Sequence, residues 1–112
     1  MSRIIAGQAA GTRLVPVKGD QTRPTTDRVK EALFSRLESW DVIENKSVID
    51  LFAGSGALGL EAASRGSHRV QFVEKSQVAF RALTANIEVV RSRVDCDLQS
   101  TRQGAETFLE HL

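Results

Sequence analysis

The segment Asp50-Leu51-Phe52-Ala53-Gly54-Ser55-Gly56-Ala57-Leu58-Gly59 sets a β-favouring run, a glycine-rich bend and a helix-favouring run in direct succession. Few folds accept that order, because a strand must turn into a helix within a handful of residues. Gly54, Gly56 and Gly59 satisfy G-x-G-x-x-G, and Glu74 follows twenty residues after Gly54. That arrangement marks a nucleotide-like cofactor site in a βαβ unit. A side chain at the bend would block the tight turn or the ligand's approach to the backbone. Amides at the helix start can face an anionic group, and the two Glu74 oxygens suit a ribose diol.

Asp50 separates the candidate cofactors. A dinucleotide brings a pyrophosphate to such a bend, where an unpaired carboxylate four residues before the first glycine opposes it. S-adenosylmethionine brings no phosphate. Its ammonium and sulfonium are cations that a carboxylate attracts, while the helix start receives the methionine carboxylate. A third reading makes the glycines a structural turn with Asp50 as its cap.

Around this segment the pattern alternates strand and helix, the signature of a parallel sheet with crossover helices. Ser47 to Phe52 reads as a first buried strand, and a helix from near Ala57 stops at Gly66. Arg69 to Glu74 reads as a second strand. Ser76 caps a helix whose Ala79, Leu83, Ile87 and Val90 face the sheet. Asp97 to Thr101 gives a weaker third strand, poor in apolar residues, and Ala105 to Leu112 begins another helix.

Upstream, Arg3-Ile4-Ile5-Ala6-Gly7 and Thr12-Arg13-Leu14-Val15 suggest a small hairpin that projects basic residues from one end. Thr25 or Thr26 caps a helix with Asp27 in its first turn, and Val29, Leu33, Leu37 and Trp40 form the stripe expected to meet the sheet. The expected fold class is α/β: a Rossmann-like class I methyltransferase fold with an incomplete parallel sheet, preceded by an N-terminal hairpin and helix. Residues 1–24 form a basic arm and residues 25–112 the cofactor-binding domain.

At 112 residues the chain can bury one core, yet is small for a complete nucleotide-cofactor enzyme. With 41% hydrophobic and 26% charged residues it belongs with folding sequences rather than disordered ones. A lone Cys96 excludes an internal disulfide, and His68 and His111 lie too far apart for a local metal motif, so no metal is expected. No leader or spanning segment is visible, which points to the cytoplasm and away from membranes. The net charge of +1 conceals an asymmetry: residues 1–30 hold six basic and two acidic side chains, the remainder nine basic and twelve acidic. A basic arm of that kind suits a polyanion, since each neutralised phosphate releases counterions. The plainer alternative is a solvated leader.

Arg3-Ile4-Ile5-Ala6-Gly7, Thr22-Arg23-Pro24-Thr25-Thr26-Asp27-Arg28-Val29-Lys30-Glu31-Ala32-Leu33-Phe34 and the glycine segment together resemble the RsmD family across nearly all of residues 3 to 92. Members of that family are bacterial methyltransferases acting on the exocyclic N2 of a guanine in 16S ribosomal RNA. The resemblance implies S-adenosylmethionine contacts at Asp50, Phe52, Ala53, Gly54, Ser55, Gly56, Gly59, Glu74 and Lys75, with Gly104 and Ala105 beside the adenine. It also makes Arg3, Arg13, Arg23, Thr25 and Arg28 candidates for contact with ribosomal RNA or the small ribosomal subunit. For Arg23 and Arg28, pairing with Asp20, Asp27 or Glu31 is the structural alternative.

Two departures from the family pattern matter. An acidic or polar residue usually reads the adenine edge after the third strand, and Gln103-Gly104-Ala105 stands there instead, leaving that task to backbone groups. The family's Asn/Asp-Pro-Pro-aromatic catalytic loop has no counterpart, since the prolines are Pro16 and Pro24 and there is no Tyr. The chain is therefore expected to supply the cofactor-binding half of an RNA methyltransferase, inactive alone, whose incomplete sheet invites self-association. An NAD-dependent oxidoreductase fragment and a non-catalytic RNA-binding or assembly module are the rival readings.

Overall fold

The computed structural model describes residues 2–19 and 26–112. A three-stranded parallel sheet has the order β3 (Ser47–Asp50), β4 (Arg69–Glu74), β5 (Asp97–Arg102). Its crossovers are α2 (Ala57–Ser64) and α3 (Gln77–Arg91), with α4 (Ala105–Glu110) following β5. Ahead of it come an antiparallel pair, β1 (Ser2–Arg3) and β2 (Arg13–Leu14), and the helix α1 (Asp27–Ser39). The register sets Asp50 beside Phe72 and Glu74 beside Arg102, so the carboxyl ends of the strands gather on one edge.

The strands differ in what holds them. Val70, Phe72 and Val73 of β4 are fully buried, as a central parallel strand covered on both faces requires. In β5 only Leu98 is buried, and the strand is set by continuous pairing with β4 from Asp97 to Arg102. β3 is shorter than expected and is not the buried strand the sequence suggested: at the edge of the sheet it has no buried residue, and Ile49 is 47% exposed. The strand stops at Asp50, and Leu51 and Phe52 turn outward, Phe52 being 82% exposed, because the bend begins before the first glycine.

The α3 stripe is the expected one, extended by Ala82 and Asn86, and the Ser76 hydroxyl accepts from the Ala79 amide at 3.2 Å. In α2 every residue from Gly59 to Ser64 is buried, since the helix lies between the sheet and the hairpin.

The face of α1 corrects the sequence reading. Thr26 is its cap, but Val29, Leu33 and Trp40 are exposed, Trp40 to 62%, while Lys30 and Phe34 are buried and Leu37 is half-buried. A buried ion pair turns the helix. Lys30 Nζ lies 3.4 Å from Glu61 Oε1 with both side chains fully buried, and it also donates to the Arg3 carbonyl. An apolar-periodicity argument scores a lysine as outward-facing, so it picks the adjacent stripe.

Glu61 also accepts from the amides of Ile5 and Ala6 at 2.9 and 3.1 Å and from Arg65 Nε at 2.9 Å, which fills its lone pairs. Ser64 accepts from the Ala9 amide and donates to the Ala6 carbonyl. Gly7, at φ +89°, passes so near that a Cβ would lie 1.8 Å from the Ser64 carbonyl oxygen. The hairpin is thereby seated on α2, with Ile4 and Leu14 in the same core as Val70 and Phe72. Its basic residues face outward: Arg3 and Arg13 are opposed across the strands, and Arg3 Nε pairs with Asp27 at 2.9 Å.

Candidate cofactor site

At the carboxyl edge of the sheet a cleft of about 410 Å³ is lined by Leu51, Phe52, Glu74, Lys75, Ser76, Gln103 and Ala105. Open α/β sheets bind ligands at this edge. A broader groove of about 930 Å³ opens at the opposite edge, where His68, Asp95 and Cys96 precede their strands. Burial and Asp97 push the Cys96 thiol there up to about 11, so it is no nucleophile at neutral pH. Among the described residues no cluster of His, Cys, Asp and Glu could hold a metal ion, and no helix is long and apolar enough to cross a membrane.

The bend beside the cleft follows from its glycines. Gly54 and Gly56 take φ of +56° and +88°, a region that side chains rarely enter. The Gly56 amide donates to the Ala53 carbonyl at 2.8 Å, and the Ala53 amide to the Val73 carbonyl at 3.1 Å, which hangs the bend from β4. Glu74 completes the tie: Oε1 accepts from the Gly54 amide at 2.7 Å and Oε2 from the Ser76 amide at 2.8 Å. Each oxygen keeps acceptor capacity for a ligand hydroxyl.

Asp50 stands half-buried at the end of β3, its Oδ2 accepting from the Gly59 amide at 3.2 Å. Burial raises its carboxyl above the ordinary carboxylate range, Glu74 raises it further, and the amides of Gly59 and Phe52 oppose the rise. Neither Asp50 nor Glu74 forms an ion pair among the described residues. Glu74 lines the cleft, whereas Asp50 lines a separate pocket of about 190 Å³ with Phe34, Leu58 and Gly59 on the α1 side of the bend; a positively charged ligand reaching both acids would relieve their mutual repulsion.

Of the cofactor residues expected from sequence, Phe52, Glu74, Lys75 and Ala105 line the cleft, while Ala53, Gly54, Ser55 and Gly56 form the adjoining bend. Gly104 caps α4 with open space at its Cβ position. Gly59 lies inside α2, where a Cβ would meet the Phe72 ring at 2.3 Å, so it allows close helix–strand packing, and its amide donates to Asp50.

Arg3, Arg13 and Arg28 are exposed, whereas Arg23 and Thr25 lie outside the described residues. Gln103 lines the cleft, at the place the sequence reading gave to Gln103-Gly104-Ala105, whereas sequence reasoning did not single out Leu51 or Ser76 as cleft walls, nor Asn86. A polar residue three positions after Leu83 on an otherwise apolar face was the available sign for Asn86.

The family model described as conserved hypothetical protein 95 matches residues 2–112. Ribosomal RNA small subunit methyltransferase D of Escherichia coli strain K12 is 41% identical over 90 residues, 80% of this chain and 44% of that protein. Its Haemophilus influenzae counterpart is 40% identical over 89 residues, 80% of this chain and 45% of that one. A solved Escherichia coli structure described as a candidate methyltransferase, yhhF, is 38% identical with a TM-score of 0.81, covering 96% of this chain and 56% of that one. The α/β fold is thus that of class I methyltransferases. The chain spans about half the length of the curated relatives it matches.

Proposed function

The chain belongs to the conserved hypothetical protein 95 family, that of the RsmD methyltransferases, and we infer from that premise that it is the S-adenosylmethionine-binding half of a 16S rRNA guanine-N2 methyltransferase. The observation that carries the cofactor reading is Glu74 in the cleft wall, its Oε1 bound to the Gly54 amide of the bend, with Asp50 at the end of the neighbouring strand and neither acid in an ion pair among the described residues.

S-adenosylmethionine, when bound, supplies an electrophilic methyl on a sulfonium. Asp50 attracts the positively charged part of the ligand, and Glu74 accepts from its ribose hydroxyls while keeping the bend in place. Leu51, Phe52 and Ala105 give the cleft its apolar wall, and Gln103 and Lys75, with Gly104 at the cap of α4, border the adenine with backbone and polar groups. A pyrophosphate in the same place would face two carboxylates, which disfavours a dinucleotide.

Arg3, Arg13, Arg23, Thr25 and Arg28 are the proposed contacts to ribosomal RNA or the small subunit, a cytoplasmic substrate. Phosphate contacts of this kind set register and orientation and leave base choice to other groups. The chain contains no Pro-Pro pair and no Tyr, so the loop that would grip an extruded guanine and accept from its amine is not supplied by these residues. Cofactor binding without useful methyl transfer is the result.

The test is incorporation of labelled methyl into 16S rRNA or small subunits by this chain and by a full-length relative. We expect this chain to bind S-adenosylmethionine and transfer nothing measurable. Transfer near the rate of the full-length enzyme would refute the assignment of catalysis elsewhere.

A further inference from the structure

Asn86 is 2% exposed in the middle of α3, and its carboxamide joins two segments far apart in sequence. Oδ1 accepts from the Val15 amide at 2.8 Å, and Nδ2 donates to the Val15 carbonyl and to the Ser55 carbonyl, each at 2.9 Å. Val15 follows β2 on the way to Arg23 and Thr25, and Ser55 is the residue between the two left-handed glycines of the bend. Both amide hydrogens and the oxygen of one planar group are thus committed to the arm and the bend together.

The peptide units flanking Ser55 are easily turned, because Gly54 and Gly56 lack the Cβ that would fix them. Asn86 is the side chain that holds the Ser55 carbonyl. A shift of the Ser55 carbonyl by about 1 Å would break a 2.9 Å hydrogen bond and leave a buried donor unpaired. The carboxamide could follow only by straining its bonds to Val15.

We propose that Asn86 is a positioning residue that couples the cofactor seat to the basic arm, so that filling the bend fixes the main chain at Val15. The proposal deepens the methyltransferase reading and rests on it. By reciprocity, a ligand that fixes Val15 tightens cofactor binding by the same factor. Ser64 provides the internal comparison. It ties the hairpin at Ala6 and Ala9 to α2 and makes no hydrogen bond to the bend.

Amide hydrogen exchange on the whole chain, with and without saturating S-adenosylhomocysteine, tests this. Calorimetry on the same sample establishes occupancy. Exchange at the Val15 amide should slow by roughly 5-fold or more, the low end of ordinary coupling between sites. Exchange at the Ala9 amide should stay nearly constant. In Asn86→Ala, compared at a ligand concentration that calorimetry shows to be saturating for that variant, the Val15 response should vanish. Equal responses at Val15 and Ala9, or none at Val15 despite occupancy, would overturn the coupling even if the variant does not fold. Absence of binding would overturn the cofactor reading itself, and the coupling with it.

Discussion

Glu74 and Gly54, twenty residues apart, are joined by a 2.7 Å hydrogen bond from the Gly54 amide to Oε1, so the acid at one strand end shapes the bend after the previous strand. Glu74→Ala removes that acceptor, the one for Ser76, and the proposed ribose contact. Charge-assisted hydrogen bonds contribute about 1.5–3 kcal/mol, so S-adenosylmethionine affinity should fall roughly 10- to 100-fold. Glu74→Gln keeps a neutral acceptor for Gly54 and should lose less. Calorimetric titration of both variants ranks them.

Asp50 should oppose function to stability. Its folded-state pKa is raised, chiefly by burial, so the stability it contributes is fully present below its ordinary value of 3.8 and is lost as pH rises through the raised value. Wherever it is ionised, the carboxyl therefore costs the fold something. Asp50→Asn should raise the unfolding temperature at pH 7 and weaken S-adenosylmethionine binding. In the natural chain, affinity should decline as pH falls through the raised Asp50 range, because a protonated carboxyl no longer attracts a cation. The Asn variant should lack that decline.

Glu61 and Lys30 form a fully buried pair, yet their removal is not equivalent. Glu61→Ala strands the Lys30 ammonium and the amides of Ile5 and Ala6, a loss of about 3–5 kcal/mol. Lys30→Met leaves Glu61 bonded to Arg65 and both amides, and should cost clearly less. Urea unfolding of the two variants measures the difference.

Gly7 and Gly11 share φ near +90° but not their surroundings. Gly11 has nothing within 4 Å of a Cβ, so Gly11→Ala should cost only the left-handed penalty of about 1–2 kcal/mol. Gly7→Ala adds a collision with the Ser64 main chain and should cost more, releasing the hairpin from α2. Thermal unfolding and proteolysis near the hairpin distinguish them.

The βαβ core was legible because β4 and α3 obey simple periods and the bend spells out its own turn. Ser76 as a cap and Gly66 as a stop followed from the same local chemistry. The orientation of α1 was not legible, since it depends on Lys30 finding Glu61 thirty-one residues later, and pairing at that range leaves no periodic trace. The end of β3 was not legible because Leu51 and Phe52 are apolar yet line a cleft instead of a core. Around the site, Asp50, Glu74 and the glycines could be named from sequence, whereas Gly59 acts through packing against Phe72, and Asn86 acts on Val15 and Ser55, segments that only the fold brings together.

Parallel calorimetric titrations with S-adenosylmethionine and with NAD confront the central claim most directly. Two carboxylates beside the bend should give saturable binding of the sulfonium ligand, lost in the double variant Asp50→Asn/Glu74→Gln, and no heat with NAD. Saturable NAD binding with the sulfonium ligand excluded would contradict the account.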